Sequence, residues 1–275
     1  MARIAALGYH EVTDNPEDSG FQRPRAFLYK HSRARFREHL DAIAATGRVP
    51  TVVYAIDFDA PGDHLLLTFD DGGRSAVDIS EELSRRGWRG HFLVTTSLIG
   101  QPGFLDVASI RALHAAGHIV GSHAHHHADA FRAQSLEAMR WEWQTSCDRL
   151  SDLLGVPCAV ASVPGGQISD LVMESARASR LRYLFTSEPV LQPSRRGQCR
   201  IIGRACIKSY TSCLRVSGFA RGRGWRRARF EQECKAMARV WFPGVYAHCL
   251  RLCAWHAGLA TASTPHTSDK SVRLR

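Results

Sequence analysis

The stretch that decides the fold is His64-Leu-Leu-Leu-Thr-Phe-Asp70-Asp71-Gly72-Gly73. Its apolar run has the length and composition of a buried β-strand, and it ends in two adjacent carboxylates and two glycines. Successive side chains on an extended strand point to opposite sides, so the two acids converge only if the chain turns, and glycine permits that turn. The alternative interpretation is that both acids cap a helix over residues 74–86.

Strand-like runs and helical segments alternate on both sides of this stretch. Further strands are predicted over Ile4–Tyr9, His91–Thr95, His118–Gly121, Ala159–Val163, Arg182–Thr186 and Ile201–Ile207. Four helices are predicted between them, ending at Gly47, Gly87, Gly117 and Gly155. This order indicates an α/β fold with a parallel sheet and outer helices, and seven strand candidates favour closure into a barrel. In such folds the working residues lie at the carboxyl ends of the strands.

A second polar run, Gly117-His-Ile-Val-Gly-Ser-His123-Ala-His-His-His127, follows another predicted strand. His123 and His127 are four residues apart, so on a helical turn both imidazoles would face the same way. Together with one of the two carboxylates they form the open three-ligand set of a hydrolytic metal site. A divalent metal lowers the pKa of a bound water from about 16 toward about 7, and the second carboxylate remains to take its proton. The alternative is a set of structural histidines.

Composition and charge narrow the class of protein. The chain has 275 residues and a net charge of +10, and its eight cysteines form no CxxC pair. A zinc–cysteine site is therefore disfavoured. The start of the sequence has an apolar stretch too short for a secretion signal, and no run of 18 apolar residues occurs, so we expect a cytoplasmic protein without a transmembrane helix.

The basic residues are concentrated in one region. Eleven Lys or Arg residues and no Asp or Glu lie between Pro189 and Phe230. The region 195–229 suits an anionic partner, such as an anionic lipid or a membrane surface, although a solvated basic surface explains it equally well. Nucleic acid is a disfavoured partner because no nucleic-acid-binding module is recognisable.

The two polar runs carry a resemblance to a known family. Thr68-Phe-Asp-Asp-Gly72 matches the TFDDG motif of the NodB-homology polysaccharide deacetylases (carbohydrate esterase family 4), and Ser122–His127 resembles their SH[ST]xxH motif. The resemblance extends from about Ala5 to Ile207. It implies a distorted (β/α)7 barrel of the glycoside hydrolase/deacetylase type. It also implies that Asp70 is the catalytic base and that Asp71, His123 and His127 bind a divalent metal, with zinc favoured.

The sequence departs from the family at three places. Ala124 replaces the usual Ser or Thr. The family's arginine before Pro-x-Gly, which orients the base, is missing ahead of Pro164-Gly165-Gly166. This loop is therefore predicted only to bind substrate along the groove. Arg204 is a candidate replacement for the missing arginine. The family's C-terminal Leu-x-His is also missing. Leu7-Gly-Tyr-His10 instead looks like the circularly permuted branch, which makes His10 the candidate general acid; the alternative is a histidine that bonds the backbone.

These expectations give a predicted organisation and function. We expect a catalytic deacetylase domain over 1–208, a basic helical extension over 209–257 and a disordered tail over 258–275. The predicted reaction is removal of N-acetyl groups from the amino sugars of a polysaccharide or lipid-linked glycan; the segment Ser162–Ile207 resembles deacetylases of exopolysaccharide assembly. Two alternatives stay open. One is a related amidohydrolase that cleaves non-sugar C–N bonds, and the other is a glycan-binding protein with a decayed site.

Overall fold

A closed ring of parallel strands forms the centre of the protein. The computed structural model describes residues 1–128 and 130–241. Its strands are β1 (Ala2–Tyr9), β2 (Glu11–Val12), β3 (Lys30–His31), β4 (Gly62–Phe69), β5 (His91–Val94), β6 (Ile119–Ser122), β7 (Val160–Ser162), β8 (Tyr183–Phe185), β9 (Ser194–Arg196), β10 (Cys199–Ile202) and β11 (Arg204–Cys206). Its helices are α1 (Arg33–Ala44), α2 (Ala76–Ser84), α3 (Val107–Ala115), α4 (Leu136–Leu154), α5 (Asp170–Ala178), α6 (Cys213–Ala220) and α7 (Trp225–Trp241).

The order of the strands explains the closure. The main sheet runs β11-β1-β4-β5-β6-β7-β8-β10-β9, and each pairing is parallel except that of β9 with β10. β10 pairs with β8 and β11 pairs with β1, while Gly203 alone separates β10 from β11 in the chain. The sheet therefore closes through this split strand, predicted as one run over Ile201–Ile207, and gives the distorted seven-position (β/α) barrel that the sequence predicts.

Glycine is required at position 203 of this closure for a steric reason. A Cβ atom on this residue would overlap the carbonyl oxygen of Glu188. Only glycine lets the strand change partners from β8 to β1 so close to the neighbouring backbone.

Alternation along the strands separates an inner from an outer core. Ala2, Ile4 and Ala6 of β1 and Leu66 of β4 belong to an apolar cluster that contains no residue of α1–α7, which places it inside the barrel. The intervening residues, such as Leu7 and Leu67, pack in a second cluster with residues of α1, α2, α3 and α6. Every second side chain of a strand thus fills the interior, and the side chains between them pack against the helices outside, as buried parallel strands require.

Local capping fixes two of the predicted helices. Asp106 accepts a hydrogen bond from the Ser109 N–H at 2.8 Å at the start of α3, and Ser135 caps α4 through the Ala138 N–H at 3.1 Å. Gly155 ends α4 in the left-handed conformation with a φ of 71°. The structure adds α5 and the short strands β2, β3 and β9, for which the sequence analysis made no prediction.

The described C-terminal residues form two helices. α6 packs on α1 and β1 in the compact unit Met1–Gln232, which also contains the first part of α7. The predicted boundary after residue 208 stays a prediction. The end of the predicted extension and the whole predicted tail lie outside the described residues. None of the described helices combines the length and the hydropathy that a membrane span requires.

A buried carboxyl group joins the segment after β1 to the turn after β4. The hydroxyls of Ser19 and Ser75 both donate to Glu11 Oε2, that of Ser75 at 2.6 Å. Each hydroxyl also accepts a backbone N–H, from Ser75 and from Val12. A Cβ on Gly73 would overlap Glu11 Oε1, so the turn packs directly on this carboxyl. Burial raises the pKa of Glu11 to about 7.

The raised pKa of Glu11 predicts a pH-dependent stability. The folded protein keeps this proton up to about pH 7, whereas the unfolded chain releases it near its ordinary pKa of 4.5. The contribution is therefore present at low pH and is lost as the pH rises through this window, at a cost of up to ~3 kcal/mol. Urea unfolding of metal-free protein should show Glu11→Gln close to wild type at pH 4.5 and more stable at pH 8. Equal differences at both pH values would contradict the assignment, and the exposed Glu137→Gln is the control.

Candidate metal centre and active site

Asp70 and Asp71 lie at the carboxyl end of β4 and are both 5% exposed. The Asp70 N–H donates to the Tyr9 carbonyl, which continues the pairing with β1 by one residue. Asp71 and Gly72 then both have a φ of 77°, in the left-handed region that Asp and Gly tolerate best. This turn brings the two carboxylates to one edge of the barrel. The alternative that they cap a helix is wrong, because α2 begins at Ala76 and Asp70 binds an arginine instead.

The histidine run follows β6 and forms an irregular turn. The His123 N–H donates to the Val94 carbonyl at 2.8 Å, and Ala124 and His127 have φ values of 61° and 53°. The expected helical turn is therefore wrong: two left-handed residues, not a helix, bring the imidazoles of His123 and His127 to a ring distance of 4.9 Å. Ala124 is completely buried in an apolar cluster with Trp143, which explains a methyl group in place of a hydroxyl.

Asp71, His123 and His127 converge on one point. Asp71 Oδ1 lies 3.4 Å from His123 Nε2 and 3.6 Å from His127 Nε2, and the three ligand atoms are all within 4.8 Å of one another. Ligands at the corners of a tetrahedron around zinc are roughly 3.3 Å apart. Asp71 Oδ1 is buried and accepts no hydrogen bond from the described residues. The donor set and its spacing therefore fit a divalent cation.

The other two histidines of the run have different partners. His125 Nδ1 is 2.8 Å from the Thr96 hydroxyl, and His126 Nδ1 is 3.0 Å from Glu142 Oε1. The backbone N–H groups of both residues also donate to Glu142 Oε2 at 2.8 Å. Glu142 thus holds the histidine loop in shape, and His125 and His126 flank the candidate ligands.

Arg204 holds Asp70 through two hydrogen bonds. Its Nη1 and Nη2 atoms lie 2.7 Å from Asp70 Oδ1 and Oδ2, and neither side chain is more than 4% exposed. The guanidinium is fixed in turn by the Thr186 carbonyl at 3.0 Å and the Thr68 hydroxyl at 2.9 Å. Arg204, the candidate named from the sequence, therefore contacts the carboxylate that lacks the family's usual arginine, and it does so from β11.

The electrostatics of the site follow from these contacts. Burial alone would raise the pKa of Asp70, but Arg204 and His123 hold it well below its usual range. Burial likewise opposes ionisation of Asp71, and the neighbouring His10, His123 and His127 lower its pKa. Burial lowers the pKa of His127 to about 4. Asp70 and Asp71 are thus ionised and His127 is neutral at neutral pH, which are the charge states that a base and two metal ligands require.

Ser162 is the contact that the sequence analysis missed. It ends β7, is completely buried, and places its hydroxyl oxygen 2.6 Å from His123 Nδ1 and 3.0 Å from Asp70 Oδ1. Its position two residues before Pro164, in the stretch where the family's arginine is missing, was the only indication in the sequence.

His10 and the loop 164–166 lie at the same edge of the barrel. His10 follows β1, its ring lies 4.5 Å from that of Tyr29, and its Nδ1 is buried without a hydrogen bond to any described residue. Gly165 and Gly166 follow β7 with φ values of 68°, and Ser187 N–H donates to the Gly166 carbonyl at 2.9 Å. Pro164 and Gly166 are buried and Gly165 is exposed, so this loop borders the site next to the segment after β8.

Comparison with known proteins identifies a domain within the chain. Residues 58–184 match the model of the polysaccharide deacetylase family. The matched segment runs from before β4 into β8 and contains the two carboxylates and the two candidate histidine ligands. These residues form a polysaccharide deacetylase domain. The deacetylase is therefore a hydrolase that acts on carbon–nitrogen bonds of N-acetylated glycans, as predicted.

Solved structures share the fold of this deacetylase. IcaB from Ammonifex degensii is 20% identical with a TM-score of 0.65, and the match covers 79% of this chain and 97% of that one. A polysaccharide deacetylase from Bacillus cereus is 18% identical with a TM-score of 0.66 over 79% and 69% of the two chains. A de-N-acetylase from Aggregatibacter actinomycetemcomitans is 17% identical with a TM-score of 0.65 over 79% and 99%. No curated protein has a significantly similar sequence.

The geometry predicts one metal ion per chain. Metal-free deacetylase should bind one equivalent of Zn²⁺ or Co²⁺. At a concentration about 100 times the Kd, the bound metal should raise the melting temperature by about 5 to 10 °C. Asp71→Asn removes the negative charge of the carboxylate ligand and should weaken metal binding at least ~10-fold. Isothermal titration of Asp71→Asn against His126→Ala, which keeps all three ligands, measures the difference. Wild-type affinity in Asp71→Asn would refute the ligand set.

Proposed function

We propose that the deacetylase removes the acetyl group from N-acetylated amino sugars with Asp70 as base, His10 as acid and Asp71, His123 and His127 as ligands of a divalent cation. The observation that carries this assignment is the different surroundings of two adjacent carboxylates. Asp71 Oδ1 faces two imidazole nitrogens, and Asp70 is held by Arg204. One carboxylate is thus available to a cation, and the other is fixed beside it.

The cation would supply Lewis-acid polarisation of the acetamide carbonyl and a lowered pKa for the attacking water. Zinc is favoured among divalent metals because two imidazoles and a carboxylate are ligands that it accepts in hydrolytic sites. Three protein ligands are the number that catalytic rather than structural zinc sites use, so a cation bound here would have a position left for water or substrate.

Asp70 is suited to act as the base because it is ionised and its orientation is fixed. The water oxygen forms a bond to the acetamide carbon while one of its O–H bonds breaks and Asp70 takes the proton. The π electron pair of the carbonyl moves onto the carbonyl oxygen, and it forms the double bond again when the C–N bond breaks. The two bonds to Arg204 hold the carboxylate in one rotamer, so that no orientational freedom is lost when the water is activated.

His10 completes the reaction on the other side of the scissile bond. It lies close enough to Asp70 and Asp71 to lower the pKa of both carboxyls, and it packs on the ring of Tyr29. We assign it the proton that the departing amine nitrogen needs as the C–N bond breaks, which yields a free amino sugar and acetate. The loop Pro164–Gly166 then contacts the sugar.

The basic region supports an anionic group on the substrate or its carrier. Arg196 pairs with Asp170 at 2.7 Å, and Arg200 pairs with Asp59 at 2.9 Å, so these two charges are compensated. Arg223 and Arg226, in contrast, are exposed and have no acidic partner among the described residues. We propose that they contact the phosphate of a lipid-linked glycan or an anionic membrane surface. The predicted cytoplasmic location and role in exopolysaccharide biosynthesis stay predictions.

Replacing the base tests the assignment most simply. Asp70→Asn keeps the shape of the side chain but cannot accept the proton. It should lower kcat for acetate release from N-acetylglucosamine oligomers by about 10²- to 10⁴-fold with one metal still bound. Asp106→Asn, at the N-cap of α3, is the control. Turnover of small cyclic imides but not of oligomers would favour the amidohydrolase alternative, and wild-type protein without any turnover would favour the glycan-binding alternative.

The role of His10 has its own test, based on the leaving group. His10→Gln should lower kcat/KM for a sugar acetamide by about 10²-fold, because the amine needs a proton to leave. The same variant should hydrolyse 4-nitrophenyl acetate at nearly the wild-type rate, because nitrophenolate leaves without one. His64→Gln, at the start of β4, is the control. An equal loss on both substrates would mean that His10 has a structural role only.

A further inference from the structure

Ser162 connects two parts of the site that the proposed mechanism treats separately. It lies at the end of β7 and is completely buried. β7 lies between β8 and β6, the strand that His123 directly follows. Its hydroxyl oxygen is 2.6 Å from His123 Nδ1 and 3.0 Å from Asp70 Oδ1. A single atom is therefore within hydrogen-bond distance of both the candidate base and a candidate metal ligand.

The direction of each hydrogen bond can be assigned. His123 Nδ1 is also 3.1 Å from the Ser162 carbonyl oxygen, which only accepts, so Nδ1 must carry a proton. The Ser162 hydroxyl then accepts from His123 and donates its own proton to Asp70 Oδ1. With its proton on Nδ1, His123 would offer the lone pair of Nε2 to a cation that Asp71 Oδ1 also contacts.

The same contacts distinguish the two oxygens of Asp70. Oδ1 accepts from Ser162 and from Arg204 Nη1, and these bonds occupy both of its lone-pair sites. Among the residues that the structure describes, Oδ2 accepts only from Arg204 Nη2 and retains one site. Oδ2 is therefore the oxygen that is free to receive a proton.

We propose that Ser162 is a positioning residue that joins Asp70 to His123 through one hydroxyl group, fixing the tautomer of the metal ligand and leaving Oδ2 of the base as the proton acceptor. The base is held from two strands, by Arg204 on β11 and Ser162 on β7. A small side chain at position 162 leaves the Asp70 carboxylate accessible to the guanidinium of Arg204. The kinetic part of this inference rests on the proposed function, whereas its metal-binding part does not.

The test is Ser162→Ala, which removes the hydroxyl and keeps the backbone carbonyl that bonds His123. We expect metal affinity to fall about 10- to 100-fold, as for the loss of other groups that orient a ligand. At saturating metal, kcat for acetate release should fall about 10-fold or more while KM stays within about twofold, because orientation of the base affects the transition state and not substrate binding. Ser162→Thr restores the hydroxyl and should recover most of both losses.

Ser175→Ala is the matched control for the loss of a buried hydroxyl. Ser175 is completely buried on α5 and accepts a hydrogen bond from Trp143 Nε1 at 3.1 Å. Its hydrogen bonds do not involve Asp70 or the candidate metal ligands. This variant should lower the melting temperature and leave metal affinity and kcat unchanged. A purely structural role for Ser162 would make the two variants alike.

The outcomes separate this inference from the proposed function. If wild-type protein releases acetate, and Ser162→Ala folds with unchanged metal affinity and kcat, the inference is overturned and the proposed function stands. If wild-type protein releases no acetate from any acetylated oligomer, but Ser162→Ala binds metal about 10-fold more weakly, the proposed function fails and the link between Ser162 and His123 is supported.

Discussion

The burial of two adjacent negative charges at the end of β4 is the constraint on which the site depends. An ionised carboxylate is costly in a protein interior unless a partner of opposite charge and hydrogen bonds compensate it. Asp70 receives this compensation from the buried guanidinium of Arg204 and from Ser162. Asp71 has two imidazoles beside an oxygen that accepts no hydrogen bond from the described residues, an arrangement that a divalent cation completes. The proposed division of labour between the two acids follows from these different forms of compensation.

The barrel topology brings these groups together from distant parts of the chain. β1, β4, β6 and β7 are neighbours or near neighbours in the parallel sheet, so His10, Asp70, His123 and Ser162 at their carboxyl ends share one edge. The closing strand matters equally. At Gly203 the chain changes its pairing partner from β8 to β1, and Arg204, the next residue, forms hydrogen bonds with Asp70. The fold is thus not only a support for the site. Its closure brings Arg204 to the Asp70 carboxylate, which the guanidinium keeps ionised.

Much of this arrangement was predictable from the sequence, because it depends on local patterns. The strand ending in Asp70 and Asp71, the strand ending before His123, and the helices with Asp106 or Gly155 at their ends all have short-range causes. The proposed metal triad followed from the resemblance of two motifs, and the structure brings its three side chains together. The turn of the histidine run was predicted as helical because spacing alone does not reveal the left-handed conformation of Ala124 and His127.

What escaped prediction depends on contacts between distant residues. Arg204 was only a candidate, since nothing in its neighbourhood in the chain points to Asp70, 134 positions away. Ser162 looked like a residue where a functional arginine had been lost, and its hydrogen bonds to Asp70 and His123 became visible only in three dimensions. The buried environment of Glu11 was not predicted either, because it is formed by two serines from separate segments of the chain.

The central claim is that one oxygen and two imidazole nitrogens of this chain bind the catalytic cation. X-ray absorption spectroscopy of zinc-loaded protein tests it directly, because it reports the type, number and distance of the ligand atoms. The account predicts two imidazole nitrogens and oxygen ligands at about 2.0 to 2.2 Å and no sulfur. A sulfur ligand at about 2.3 Å, or a site without imidazole, would place the metal elsewhere and contradict the account.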